Sequence, residues 1–345
     1  MNICKPNYPR NCWWIAARSE ELGRKPLARQ LLDEPVVMFR KTDGAAVALE
    51  DRCVHRWMPL SAGRLVEDTL VCGYHGFRYD CVGHCVKIPS QESIPRAARV
   101  RAYPLVERSP FVWIWMGDPA RSGDVAIPHL EHHDDAGWVH IADYLHLKSN
   151  YFLLQENVLD LTHFAFVHAT TLEFDGWDTQ QQDEVSVEGQ TVRFRRHLSK
   201  GPLAPFLSIP AGLPEAAVAD TTTFGAMLLP GVHTAGIDIG EPYLSGNRGR
   251  DFQFRISHLT TPETPGTTHY WWIIGQNYGL AGSRENAEVH GIITTAFKQD
   301  RDVLENIQQL VTRDPRGSNS PEISVASDRS GIQARRILQM MLDHD

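Results

Sequence analysis

The stretch CVHRWMPLSAGRLVEDTLVCGYHGF, residues 53–77, decides how the rest of the chain is read. It sets Cys53-Val54-His55 against Cys72-Gly73-Tyr74-His75, with sixteen residues between the two groups. Each group offers one thiolate and one imidazole. A [2Fe–2S] cluster with two Cys on one iron and two His on the other needs that mixed pairing, and it reaches potentials above those of all-Cys ferredoxins. Gly73 and Gly76 flank the second pair, where the backbone has to bend tightly and approach the ligands closely. The competing occupant is zinc, since two Cys and two His also suit Zn²⁺. Zinc fingers usually place both Cys in one pair and both His in the other, so the mixed pairing favours the cluster. The cofactor-binding candidates are therefore Cys53, His55, Cys72 and His75.

Outward from this stretch, the first 120 residues read as short strands parted by turns. PVVMF (35–39), AAVALE (45–50), TLVC (69–72), VRAYPLVE (100–107) and FVWIWM (111–116) are the clearest. Thr42-Asp43-Gly44 and Cys81-Val82-Gly83 supply turn signals between them. This predicts a small all-β domain over 1–120. GDPARSGDVAIP (117–128), rich in Gly, Pro and small polar residues, reads as a linker. The remainder, 121–345, reads as an α+β domain with helices outside an antiparallel sheet. Its helical patterns cover about 151–168, 287–312 and 329–342; FQFRISHL (252–259) and YWWIIGQNYG (270–279) are strand-like.

The bulk properties narrow the class. A net charge of −8 with no basic, aromatic-interleaved segment argues against a nucleic-acid partner. The N-terminal residues lack the unbroken apolar core of a secretory signal. No apolar run approaches the roughly 18 residues of a transmembrane helix, so the expectation is a cytoplasmic protein without a membrane partner. In that setting six cysteines point to metal binding, catalysis or burial rather than disulfides. Cys4, Cys12, Cys81 and Cys85 lack deciding neighbours. Cys81-Val82-Gly83-His84-Cys85 reads as buried thiols in a β-loop.

A second constellation lies in QENVLDLTHFAFVH, 155–168. Leu154, Val158, Leu161 and Ala165 make an apolar stripe, which leaves Asn157, Asp160 and His163 beside a buried face. Buried polar groups need partners, and a metal is one. His163 and His168 are five apart, about 140° around an ideal helix, so they converge only if the helix ends or bulges there. Non-haem Fe(II) oxygenases add one carboxylate to two such imidazoles. In FKQDRDVLENIQQLV (297–311) the 3, 4, 3, 4 spacing of Phe297, Asp300, Leu304, Ile307 and Val311 selects Asp300 as the core-facing carboxylate. Asp302 and Glu305 read as solvated. Trp271, Trp272 and Phe252 read as core before pocket, and HLEHHDDAGW (129–138), with His129, His132 and His133, as a solvated loop.

C-x-H-R…L-S-x-G…C-G-Y-H-G-F at 53–77 resembles the Rieske domain of ring-hydroxylating and demethylating oxygenases. N-x-x-D-x-x-H-x-x-x-x-H at 157–168, with Asp300 far downstream and GIQARRIL (331–338), resembles the catalytic domain of the same Rieske non-haem iron oxygenases. The vanillate O-demethylase and dicamba monooxygenase type is the nearest, and the likeness covers essentially the whole chain. Val54 and Trp57 stand where Pro and Gly are usual. The resemblance implies a helix-grip-like catalytic domain and a mononuclear Fe(II) held by His163, His168 and Asp300. Asn157 falls beside the iron. Asp160 falls at the carboxylate that bridges an iron ligand to a cluster histidine of the neighbouring subunit, accepting from His163 and His75 in a homotrimer. The implied reaction uses O₂ to oxidise a C–H bond of a small aromatic substrate, with formaldehyde released when that bond belongs to a methoxy or N-methyl group. Electrons come from NAD(P)H only indirectly, through a flavin/iron–sulfur reductase or a reductase plus ferredoxin, since no G-x-G-x-x-G strand–helix unit is present. The substrate pocket is expected from residues 200–290.

The alternatives divide by chemistry. Ring or methyl hydroxylation, or dioxygenation, of an aromatic acid differs from demethylation in releasing no formaldehyde. A Rieske electron carrier has no need of an open two-His, one-carboxylate site. A zinc-stabilised binding module has no colour.

Overall fold

The computed structural model describes residues 8–108, 110–130, 133, 135, 137–172, 184–214, 217–240, 252–279, 281–316 and 321–345. The chain divides into two compact units, one built from 8–127 with 261–264, the other from 128–260 with 265–344.

The first unit is all β. Its strands are β1 (Trp13–Arg18), β2 (Leu27–Leu31), β3 (Glu34–Arg40), β4 (Ala46–Glu50), β5 (Arg64–Val66), β6 (Thr69–Val71), β7 (Arg78–Tyr79), β8 (Cys85–Lys87), β9 (Ala102–Tyr103), β10 (Leu105–Arg108) and β11 (Phe111–Trp115). They form three antiparallel sheets in the orders β1-β11-β10, β2-β3-β4-β9 and β5-β6-β7-β8. The strand expected over 100–107 is two strands. Pro104 separates them, and β9 pairs with β4 while β10 pairs with β11. A residue without an N–H cannot serve a continuous ladder, so the chain changes sheets there. Leu49, Leu60, Leu70, Tyr79 and Val100 pack a core directly beneath Cys53 and Cys72. Buried Asp51 ties the segment between them, accepting from the Ser61 N–H at 2.7 Å and the Ser61 hydroxyl at 2.5 Å. Gly63 follows because a Cβ there would lie 2.0 Å from the Val71 carbonyl oxygen.

The second unit is a seven-stranded antiparallel sheet with helices on one face. Its strands are β12 (Val139–Leu147), β13 (Glu184–Glu188), β14 (Thr191–Pro202), β15 (Val218–Leu229), β16 (Val232–Ile239), β17 (Phe252–Thr264) and β18 (Thr267–Gln276), in the order β12-β18-β17-β16-β15-β14-β13. The helices are α1 (Tyr151–Leu159), α2 (Phe164–Val167), α3 (Pro205–Ser208), α4 (Arg284–Arg313) and α5 (Arg329–Asp343). Period-two alternation puts Ile237, Phe254, Tyr270 and Trp272 on the face that meets Leu154 and Val158 of α1 and Ile293, Phe297 and Leu304 of α4. Each such side chain contributes about 1.5–3 kcal/mol when fully buried. Among the described residues no helix is long and apolar enough to cross a membrane.

Two helical expectations need correction. The pattern over 151–168 is not one helix. Asp160 is extended (φ −123°, ψ 104°), and its side chain accepts from the Thr162 N–H to cap a 3₁₀ turn over Leu161–His163 that leads into α2. Asp favours a cap over a helix interior, and here that preference overrides the apolar stripe. On α4 the buried face runs Ile293, Ala296, Phe297, Asp300, Leu304, Gln308, while Ile307 is exposed. Gln308 takes the inward place because its amide oxygen accepts the Asn150 N–H at 2.9 Å, at the start of α1. Glu305 is not simply solvated either, since its carboxylate accepts the Lys148 N–H at 2.9 Å.

Candidate metal centres and the cavity beside them

The first donor set sits on two loops of the β unit, one after β4 and one between β6 and β7. Each loop closes on itself: Trp57 N–H donates to the Cys53 carbonyl at 2.9 Å, and Gly76 N–H to the Cys72 carbonyl at 3.1 Å. Gly76 turns with φ +72°, a conformation that costs a side-chain-bearing residue more than glycine. Cys53 and Cys72 are buried, whereas His55 and His75 are exposed, with ring centroids 4.5 Å apart. Phe77 stacks under His55 at 4.9 Å. Thiols inside and imidazoles outside suit a cluster with one iron facing the core and one facing out. A single zinc, with bonds of about 2.0–2.3 Å, would hold all its donors within about 4 Å of each other. No three of these four come within 4.8 Å of one another; among the described residues only His163, His168 and Asp300 do. The donor set fits two irons better than one zinc.

Tyr79 is a contact that sequence reading missed. Its hydroxyl lies 3.1 Å from Cys53 Sγ while accepting the Val54 N–H at 3.3 Å, so its proton is free to point at the sulfur.

The second donor set converges through the break at Asp160 and the helix end at His168, which terminates α2. His163 Nε2 lies 3.4 Å and His168 Nε2 3.1 Å from Asp300 Oδ1. Each imidazole is aimed by its other nitrogen. His163 Nδ1 donates to the Asp160 carbonyl at 2.7 Å, and His168 Nδ1 to the Gln299 amide oxygen at 3.0 Å. Those bonds leave both Nε2 atoms as acceptors facing a carboxylate oxygen, an arrangement that a cation satisfies. Burial opposes charge on Asp300; with both Nε2 atoms protonated instead, the hydrogen bonds and charges of His163 and His168 outweigh it and hold its carboxyl down to about 2, so the carboxylate is held by positive charge at this point. Asn157 Nδ2 donates to Asp300 Oδ1 at 3.2 Å, and its own buried Oδ1 has no partner among the described residues. A half-turn of the amide would present that oxygen to the same point.

Asp160 differs from what the resemblance implied. Its carboxylate does not accept from His163; it accepts from the Thr162 N–H at 2.9 Å and the Thr162 hydroxyl at 2.8 Å, and the backbone carbonyl holds the imidazole instead. Asp302 is exposed and paired with Arg301.

A narrow cavity opens against the three converging residues. Its walls come from α1, from 161–172, from β15 to β17 and from α4, not from 200–290 alone. Phe164, Phe206, Phe254, Phe297, Ile237, Ile256 and Ile293 make it apolar; apart from Asn157, His163, His168 and Asp300, its polar side chains are Thr223 and His258. Trp271, Trp272 and Phe252 do not line it and are fully buried in the core. His258 was also missed in the sequence. A signal existed: it shares the period-two face of Phe252, Phe254 and Ile256, where a lone imidazole is out of place.

Among the described residues the other clusters carry no ligand geometry. Cys81 Sγ donates to the Asp68 carbonyl at 3.2 Å and Cys85 Sγ to that of Lys87 at 3.5 Å, both against the β core. Cys81→Ser and Cys85→Ser are expected to leave iron per chain unchanged in the purified protein; loss of iron from either would make it a ligand. His133 packs against the His140 ring at 5.1 Å, while Cys4 and His132 lie outside the described residues.

Few protein classes join these two donor sets in one polypeptide; the Rieske non-haem iron oxygenases do. Residues 12–104 match the Rieske [2Fe-2S] domain, and residues 147–344 match the vanillate O-demethylase oxygenase C-terminal domain. The chain is 34% identical to the putative toluene-4-sulfonate monooxygenase system iron-sulfur subunit of Comamonas testosteroni, over 96% of each protein. It is 32% identical to the dicamba O-demethylase oxygenase component of Stenotrophomonas maltophilia, over 88% of each. Its fold is similar to the crystal structure of dicamba monooxygenase with non-haem iron and dicamba, with a TM-score of 0.82, 27% identity and 98% of both chains covered. The chain belongs to the Rieske oxygenase family, in its vanillate O-demethylase branch.

Proposed function

We propose that this chain is the oxygenase component of a multi-component system that oxidises a small aromatic compound by O- or N-demethylation. The observation that carries the reading is the convergence of His163, His168 and Asp300 on the wall of an apolar cavity. Cys53, His55, Cys72 and His75 hold the [2Fe–2S] cluster in the domain of residues 1–120; the three converging residues hold a mononuclear Fe(II) in the domain of 121–345. When bound, that iron supplies open positions for O₂ and the oxidising chemistry. Phe206, Phe254 and Phe297 exclude water and offer faces to an aromatic ring. Asn157 orients Asp300 and, by turning its amide, adapts to the charge between the ligands.

The names of the relatives as oxygenase component and iron-sulfur subunit support a separate reductase as partner. It passes electrons from NAD(P)H to the cluster. The trimer implied by the resemblance would let each cluster feed the iron of a neighbouring copy past Asp160. A second reading, methyl or ring hydroxylation of an aromatic acid, is favoured by the toluene-4-sulfonate relative, whose named substrate carries a methyl and no methoxy group.

The test is direct. The purified protein is expected to be red-brown, to give a Rieske signal in low-temperature EPR after dithionite, and to hold about three irons per chain. With reductase and NAD(P)H, it should release formaldehyde from a methoxylated or N-methylated aromatic. Oxygenated product without formaldehyde would select the second reading. A colourless, zinc-holding protein would sink both.

Tyr79 gives a quantitative check on the cluster. A hydroxyl donating to the Cys53 sulfur stabilises the more negative, reduced cluster. Tyr79→Phe is expected to lower the reduction potential by about 60 mV, the one-electron equivalent of a hydrogen bond worth about 1.4 kcal/mol. Redox titration followed by circular dichroism reads it, and an unchanged or raised potential contradicts the contact.

A further inference from the structure

The segment GIQARRIL, 331–338, lies on α5, and its Arg335 reaches the last turn of α1. Nε and Nη2 of Arg335 donate to the two carboxylate oxygens of Glu156, the second at 3.0 Å, while Nη1 donates to Glu322 at 2.6 Å. A guanidinium fork fixes the plane of a carboxylate as well as its distance. One residue before the segment, the fully buried Ser330 donates its hydroxyl to the Leu159 carbonyl at 2.8 Å. The last carbonyls of a helix must be met from outside it. The N–H of the same Leu159–Asp160 peptide donates to the Glu156 carbonyl at 3.2 Å, so that peptide is held from both sides. Helices shorter than about 12–15 residues are marginal on their own. With nine residues, α1 depends on such outside contacts to hold its last turn.

From that turn the chain delivers two contacts to the converging residues. Asn157, next to Glu156, has its Nδ2 3.2 Å from Asp300 Oδ1 and 3.4 Å from His163 Nε2. Asp160, next to Leu159, accepts the His163 Nδ1–H on its carbonyl at 2.7 Å. Arg335 keeps 38% of its side chain in solvent, and ion pairs that water reaches contribute little to stability. Its effect is geometric. We propose that Arg335 and Ser330 are positioning residues for the mononuclear iron site: they hold the end of α1 at Glu156 and Leu159, the two neighbours of the residues that reach His163 and Asp300. This rests on His163, His168 and Asp300 holding the iron, as argued above.

The experiment measures the dissociation constant of Fe(II) at the mononuclear site, by anaerobic competition with a chromophoric chelator on protein that keeps its cluster, together with the melting temperature. Arg335→Lys keeps the cation and loses the fork; Ser330→Ala removes the hydroxyl. Each is expected to weaken Fe(II) binding about tenfold, the lower end of what a partner of a metal ligand is worth. The EPR signal of the reduced cluster should stay at full intensity in both. Binding needs no turnover, so the measurement stands whatever the formaldehyde assay shows. A merely structural role would lower the melting temperature and leave the Fe(II) constant of the folded protein unchanged, which would overturn the proposal. If Arg335→Lys does not fold, Ser330→Ala decides alone. A wild type that takes up no iron beyond the cluster removes the ligand reading and this proposal with it. Equal Fe(II) binding by the wild type and both variants overturns this proposal alone.

Discussion

Asp300→Ala is expected to leave the Rieske EPR signal at full intensity while the protein loses its mononuclear iron and more than 100-fold of its turnover. The size follows from the geometry. Both Nε2 atoms face one oxygen of this carboxylate, at 3.1 and 3.4 Å, and Asp300 supplies the only negative charge in the group. Even a partner of a metal ligand is worth about 10–100-fold in affinity or activity, so loss of a ligand exceeds that range. The two metal groups share no residue, which is why the cluster is spared. Iron per chain, EPR of the reduced cluster and product formation are read on one preparation. Iron retained with turnover near wild type would remove Asp300 from the ligand set. Asp302 could not easily replace it, since its side chain is 63% exposed and engaged with Arg301.

What could be read in advance depended on how local each signal is. The cluster loops are legible because the chemistry is written in residue types within 25 positions, and both loops close by their own backbone bonds. Asp300 is legible from periodicity because Phe297 and Leu304 flank it on the buried face. The same periodicity misplaces Ile307, because over a long helix one step of phase is decided by a tertiary hydrogen bond, here Gln308 to Asn150. The break after Leu159 was hidden by an apolar stripe that continues to Leu161 and Ala165; only the capping preference of Asp hinted at it. The Tyr270–His258 contact needs the pairing of two strands: alternation marks His258 within its own strand, but nothing there names its partner. Tyr79 and Gln299 are hidden for the same reason: each is a partner supplied by an element distant in sequence.

Asp160→Asn separates the cap that the structure shows from the electron-path role proposed for the same residue. The side chain caps the 3₁₀ turn through Oδ1, and the backbone carbonyl fixes His163, so Asn, an equally good cap, keeps the turn and the iron ligand in place. Only the carboxylate charge is lost. Oδ2 is not used in the cap, so one oxygen is left for the proposed bond to a cluster imidazole of a neighbouring copy. The expected result is full iron and sulfide content, an unchanged melting temperature, and reoxidation of the reduced cluster by O₂ and substrate slowed by about 100-fold. Asp160→Ala should instead lose about 1 kcal/mol of stability from the missing cap, and some mononuclear iron with it. The contrast between the two variants is the informative quantity. If Asn reoxidises at the wild-type rate while Ala does not, Asp160 acts only by building the turn that aims His163. If both are slow and only Ala loses iron, the charge itself carries the path between cluster and iron.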